Sequence, residues 1–254
     1  MVSVVIQIRG VTKVFNEGRA SVLALRGVDL EIRSGELTLL IGPSGSGKTT
    51  LLSIMGCILA PTSGTIRVAG QDVSCLNQRE SSRLRLEHFG FVFQDFNLFP
   101  TLTAGENVEV AHDLRGIDGS SAKRYATHLL EQVGLAERYR TYPADLSGGE
   151  KQRVAIARAL AGNPKIILAD EPTGSLDSNT GWRLMELMRD VAHERGRAAV
   201  IVTHDIRLRQ LADRVITIQD GLAVPNVAVP AVPSSVSQLS NWSEHLAERK
   251  AGAS

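Results

Sequence analysis

Residues 42–49 read Gly42-Pro43-Ser44-Gly45-Ser46-Gly47-Lys48-Thr49, the spacing G-x-x-x-x-G-K-S/T, with Thr50 next in line. Glycines at 45 and 47 let the backbone curl with its N–H groups inward, and a helix starting here adds the positive end of its dipole. Together they predict a cradle for phosphate oxygens. Lys48 would reach the outer phosphates of a nucleotide, and Thr49 would place its hydroxyl on Mg2+. A plain Gly/Ser turn has the same composition, but it does not account for the apolar run 36–41 before the loop and the helix-compatible stretch 50–55 after it. The glycines also miss the G-x-G-x-x-G spacing of dinucleotide folds.

Two further apolar runs end in polar groups that could complete such a site. Residues 166–171 are Ile-Ile-Leu-Ala-Asp-Glu, which places Asp170 and Glu171 where open α/β sheets present ligand-binding edges. Asp170 would complete the Mg2+ shell, directly or through water. Alternate strand residues point to opposite sides, so Glu171 would instead polarise the water that attacks a γ-phosphate. Two acids opening a solvated turn are the simpler alternative, and one that fits poorly beside a phosphate loop. His204 ends the run 199–203 in the same way and would position that water; taken alone, a histidine there is more often structural or solvent-facing. Ser147 and Glu150 bracket Gly148 and Gly149 in an S-x-x-E capping box ahead of a helix over 151–161. The two glycines leave the helix start bare, a geometry that caps a helix and also suits an anion. With one cradle already complete at 42–49, this second one would serve the nucleotide of another copy.

The elements that must carry these residues follow from the hydrophobic pattern. Val4, Ile6 and Ile8 alternate with other residues, 23–32 shows a similar β-like mixture, and 64–73 adds a short segment turned at 69–72; these predict an antiparallel sheet. The continuous runs at 36–41, 166–169, 198–203 and 215–218 suit buried strands of a second, parallel sheet, with a helix-compatible stretch over 182–193 between them. From 77 to about 162 the pattern turns helical and predicts an inserted helical lobe. After Gly221 the composition shifts to Pro, Val, Ala and Ser, read as a flexible tail over 225–254; Trp242 and Leu246 in it keep helical spacing.

Composition narrows the function classes. The 254 residues, 43% hydrophobic and 22% charged, suffice for a packed domain and exclude wholesale disorder. Twenty-eight basic against 27 acidic residues leave a net charge of +1, so nucleic-acid binding by bulk charge is not expected and any anion must be gripped locally. Cys57 and Cys75 cannot make a disulfide framework, and no apolar run approaches the roughly 20 residues that span a bilayer. A cytosolic location is the default, and membrane work would need a separate partner. Five of the six phenylalanines fall at 89, 91, 93, 96 and 99. The spacing of Phe89, Phe91 and Phe93 predicts one buried strand face, with Phe96 and Phe99 beyond it.

In their order and joint occurrence, GPSGSGKTT, Gln94 after Phe93, LSGGE, ILADE, Ser175-Leu176-Asp177 and VTHD resemble the ATP-binding subunit of ABC transporters. The resemblance covers residues 4–221. FVFQDFNLFPTLTAGENV and DEPTGSLD look most like the subgroup exporting lipoproteins, macrolides and related amphiphiles, which includes a cell-division relative. The resemblance implies an α/β P-loop cassette over 1–224, with a mixed core sheet, an N-terminal antiparallel β-subdomain and an inserted helical subdomain. It implies a head-to-tail homodimer with two ATP molecules, each on the 42–49 loop of one chain and under Ser147, Gly148 and Gly149 of the other. Phe15 matches the position that stacks on adenine, where the family more often has tyrosine; plain strand core is the alternative. Glu150 stands where glutamine is more frequent, Asp177 would couple the two sites across the seam, and Gln94 would sense Mg2+ and the lytic water. A separate permease on the inner or plasma membrane would hold the chain at the cytoplasmic face, and Phe96 and Phe99 would help receive its coupling helix. A signal-transmitting ATPase of the cell-division type would carry identical motifs. Relatives acting on DNA or ribosomes usually carry a coiled-coil or zinc insertion, or a second cassette, and none is present in this sequence.

Overall fold

Of the alternating Val4, Ile6 and Ile8, the two isoleucines form the buried inner face of a long strand, while Val4 at its start stays exposed. In the computed structural model, which describes residues 3–17, 20–116, 119–194 and 196–225, β1 (Val4–Glu17) pairs antiparallel with β2 (Ala20–Arg33), with Ile6 opposite Ile32 and Ile8 opposite Leu30. β4 (Ser63–Val68) joins the other edge of β1, and β5 (Gln71–Asp72) returns from the turn at 69–70, giving the order β2-β1-β4-β5.

The continuous apolar runs form the second sheet. β3 (Leu37–Ile41), β6 (Phe89–Phe93), β7 (Ile166–Asp170), β8 (Ala198–Val202) and β9 (Arg214–Gln219) are joined by the antiparallel edge strand β10 (Leu222–Pro225), in the order β10-β9-β3-β8-β7-β6. β3 and β8 are buried at every position because both faces of this sheet are covered. Leu40 packs with α1 (Lys48–Met55) and the inner face of the antiparallel sheet, while Leu39 and Ile41 face the other side. On that side lie α3 (Ala104–Asp113), α4 (Gly119–Gln132), α5 (Gly148–Ala161) and α6 (Ser178–Glu194), with Val108, Leu130, Ile156 and Met188 in one core.

The stretch 77–162 departs from a purely helical reading. Between α2 (Gln78–His88) and α3 the chain enters the core sheet as β6, paired in parallel with β7. The phenylalanine rings of β6 stack along one face, at centroid distances of 5.8 and 6.1 Å. Only Phe89 of the three is buried, while Gly90 and Val92 on the opposite face are both covered. The reason is α5: a Cβ on Gly90 would stand 2.3 Å from the Ala159 carbonyl oxygen, so helix and strand approach at backbone distance there. The tail beyond Pro225, with Trp242 and Leu246, lies outside the described residues.

Register decides what comes together. Leu40 is level with Val202, and Val202 with Asp170. The loops leaving β3, β7 and β8 therefore open on one carboxyl edge, at residues 42–49, 171 and 203–204.

Candidate nucleotide site

Two glycines of the loop are required by contact as well as conformation. Gly42 (φ 150°) and Gly47 (φ 100°) would place a Cβ 2.0 Å from the Ile218 carbonyl oxygen and 2.6 Å from that of Ala24. The Gly221 N–H donates to the Ser46 carbonyl at 3.1 Å, so the β9–β10 turn pins the loop from outside. Lys48 is buried, and its ammonium donates to the Gly42 and Pro43 carbonyls at 2.9 and 2.8 Å, which holds it over the loop. No acidic residue stands in the first turn of α1, leaving the positive end of its dipole unopposed. Ser44, Gly45, Gly47, Lys48, Thr49 and Thr50 line a cavity of about 390 Å³ with Ala24, Glu171, Val202 and His204. A second cavity, about 380 Å³ beside His112 and Tyr125 between α3 and α4, is equally large, so chemistry and not size separates the two.

The acid pair diverges as expected, although β7 ends at Asp170 and Glu171 is the first residue beyond it. Thr49 Oγ1 donates to Asp170 Oδ1 at 3.3 Å, whereas Glu171 Oε1 lies 3.0 Å from His204 Nδ1. Burial, reinforced by the charge of Glu171, raises the Asp170 carboxyl above its ordinary range against the opposing pull of Thr49 and Lys48. Glu171 takes a left-handed backbone conformation (φ 46°), uncommon for a non-glycine residue, and its N–H donates to the Val202 carbonyl at 3.0 Å. Its Oε2 is buried with no hydrogen-bond partner among the described residues. The His204 side chain is exposed on the rim.

Several expected residues do not line this cavity. Phe15 is 36% exposed, with Lys13 Nζ 5.2 Å from its ring centroid. Gln94 follows β6, lies against Gly174, and accepts the Ser175 hydroxyl on its carbonyl at 3.4 Å. At the start of α5, Ser147 Oγ accepts the Glu150 N–H at 3.3 Å, and Glu150 Oε2 accepts the Ser147 N–H and hydroxyl, both at 2.8 Å. Against the upward push of burial, these bonds and the Arg138 guanidinium hold the Glu150 carboxyl below its ordinary range. Asp177 Oδ1 accepts the N–H groups of Asn179 and Thr180 at 3.0 and 3.1 Å, capping the first turn of α6, and the Thr180 side chain together with these N–H groups holds its carboxyl below the ordinary range. The phosphate-loop set and the Ser147 set are thus two distinct groups on one chain. Ala24, Val202 and the pinning Gly221 went unrecognised in the sequence, since each acts through a neighbour brought in by sheet pairing.

A parallel sheet whose carboxyl edge presents a glycine-rich phosphate loop, an acid pair and a histidine defines a P-loop ATP-binding cassette. The chain belongs to the ABC transporter family, whose profile matches residues 25–174. As a member it is an ATP-binding, ATP-hydrolysing component of a transporter. It is 47% identical over 217 residues to an uncharacterized ABC transporter ATP-binding protein of Thermotoga maritima, covering 85% of this chain and 92% of that one. It is 45% identical over 221 residues to the macrolide export ATP-binding/permease protein MacB of Escherichia coli K12, covering 87% of this chain and 34% of MacB. The chain therefore spans about a third of MacB. Among solved structures, the dimeric bacterial ABC transporter cassette MJ0796 matches with a TM-score of 0.82 at 42% identity, over 89% of this chain and all of that one. A dimeric post-hydrolysis state of the same cassette, bound to ADP and phosphate, matches with a TM-score of 0.82 at 41% identity. None of the described helices is long and apolar enough to cross a membrane.

Proposed function

We propose that two copies of this chain close head to tail on two ATP molecules and so drive a separate permease that exports an amphiphile of the lipoprotein or macrolide kind. The observation that carries this is the division of anion-binding groups into two sets on one chain: a phosphate loop closed over Lys48, and a bare capped helix start at Ser147, Gly148 and Gly149. The dimeric state of MJ0796 and the export function in the name of MacB support it. The cassette runs to the end of β10 at Pro225, one residue past the expected boundary at 224, with a helical subdomain inserted at about 77–162, and Asp177 lies at the seam between copies.

In each site residues 42–50 cradle the phosphates, Lys48 offsets charge on the outer ones, and Phe15 stacks on adenine. The hard oxygen donors of Thr49 and Asp170, 3.3 Å apart at the loop, fit Mg2+, with Gln94 as a further ligand. When bound, the ion would supply positive charge to the β- and γ-phosphate oxygens. Glu171 accepts a proton from the attacking water as its oxygen bonds to the γ-phosphorus and the bond to the bridging oxygen breaks. His204, held by Glu171, orients that water. Loss of the γ-phosphate removes the anion that joins one copy's loop to the other's helix start, so cleavage reopens the dimer.

Phe99, 49% exposed, and the half-buried Phe96 receive the permease's coupling helix, which holds the chain at the cytoplasmic face of the inner or plasma membrane. Identifying the co-purifying membrane protein, and assaying transport by the reconstituted pair, tests this. A partner with no transport activity would favour the signal-transmitting alternative, and intact complex formation by the Phe96→Ala, Phe99→Ala double variant would remove the two phenylalanines from the contact.

A further inference from the structure

The start of α5 has a conflict of charge. A helix N-terminus that receives a phosphate gains from bare N–H groups and loses from a nearby carboxylate, yet Glu150 stands in its first turn. Among the described residues, three helices begin with a reciprocal capping box: Asn77 with Glu80 at α2, Thr103 with Glu106 at α3, and Ser147 with Glu150 at α5. Among the described residues, Glu150 alone of these three glutamates also forms an ion pair, with Arg138 Nε 3.0 Å from its Oε1. Arg138 ends the short 3-10 turn Ala136–Arg138 and is half exposed, while the Glu150 side chain is only 17% exposed. The carboxylate is therefore shared. Oε1 goes to Arg138, and Oε2 takes both the N–H and the hydroxyl proton of Ser147.

The Ser147 hydroxyl proton is thus committed to a carboxylate. A γ-phosphate arriving at this helix start has to turn the Ser147 O–H from Glu150 toward its own oxygen and tolerate the negative charge of the carboxylate nearby. We infer that Arg138 is a positioning residue for the site in trans: it holds Glu150 through Oε1, offsets its charge, and so lets Ser147, Gly148 and Gly149 accept the phosphate of the nucleotide on the other copy. This rests on the head-to-tail dimer proposed above. The α3 box has no such need. The start of α3 is closed, with Ala104 and Gly105 buried and a Cβ on Gly105 only 2.4 Å from the Tyr139 ring.

The test uses the hydrolysis-deficient Glu171→Gln chain as parent and follows ATP-driven dimerisation by sedimentation velocity, with monomer affinity read separately from a fluorescent ATP analogue. Arg138→Gln is expected to raise the ATP concentration for half-dimerisation about threefold to tenfold, an effect that shrinks at high salt, with monomer affinity unchanged. Adding Glu150→Gln to Arg138→Gln should restore the parent value, and Arg138→Lys should keep most of it. Unchanged dimerisation in Arg138→Gln overturns the inference, and so does a weakening that Glu150→Gln fails to relieve, because Arg138 would then act by packing alone. A parent that does not dimerise with ATP refutes the head-to-tail reading itself, and the inference with it.

Discussion

Replacing Glu171 by Gln separates proton transfer from everything else this side chain does. The amide keeps the volume and the left-handed backbone position, and its oxygen can still meet His204 across the 3.0 Å contact. What disappears is the basic second oxygen, Oε2, which is buried and has no partner among the described residues. Removing a positioned general base costs about 10²- to 10⁴-fold, or roughly 3 to 5 kcal/mol of barrier at 1.36 kcal/mol per decade. Steady-state phosphate release should therefore fall by about that factor, while ATP binding persists and a closed dimer accumulates. Folding should not suffer. The charge of Glu171 adds to the effect of burial in raising the Asp170 carboxyl, so its removal relieves a repulsion, and thermal unfolding should occur no earlier than in the parent. Lys48→Ala is the contrasting control and should lose nucleotide binding itself. A Glu171→Gln chain that turns over within tenfold of the parent would refute the assignment of Glu171 as base.

Other expectations test the scaffold. Gly90→Ala forces a Cβ to 2.3 Å from the Ala159 carbonyl, an overpacking that should cost about 1 to 3 kcal/mol, seen as a lower urea midpoint with an unchanged slope. Asn107 is fully buried; its Oδ1 accepts the Phe99 N–H at 2.8 Å, and its amide donates to the Phe99, Leu102 and Thr103 carbonyls at 3.1, 2.9 and 2.9 Å. Asn107→Leu orphans the Phe99 N–H and the Leu102 carbonyl at about 1 to 3 kcal/mol each where they stay buried, while the Phe99 and Thr103 carbonyls still accept the Leu102 and residue-107 N–H groups, and it should loosen the loop carrying Phe99. Binding to the permease should weaken more than basal ATP hydrolysis does, and equal losses in a pull-down and an ATPase assay would argue against that role. Backbone and side-chain bonds from Thr103 lower the Glu106 carboxyl below its ordinary range. Its contribution to stability is therefore present above the ordinary carboxylate pKa and lost as pH falls through the lowered one, and Glu106→Gln should flatten that part of the acid side of a melting-temperature profile.

The two kinds of information divide by distance along the chain. The phosphate loop, the Ser147 box and the buried strands β3, β7 and β8 were legible in the sequence because each depends on residues within a turn or on one apolar run. Strand alternation predicted that Asp170 and Glu171 diverge, but β7 ends at Asp170 and the left-handed backbone at Glu171 (φ 46°) sets where that side chain goes. A strand at Phe89, Phe91 and Phe93 was legible from their spacing by two, but its place in the core sheet and the face it buries were not, since these depend on β7 at its side and α5 against Gly90. The same holds for Gly221 pinning Ser46, Ala24 lining the cavity and Arg138 holding Glu150, contacts made by side chains or carbonyls that carry no pattern of their own. Thr49 and Asp170 are 121 residues apart in the chain, and their meeting depends on β3, β8 and β7 lying side by side in register. That register is set by burial of both sheet faces, a property of the whole fold. The sequence determined which chemistry the chain carries, and the tertiary structure decided which groups share a site and which stand apart from it.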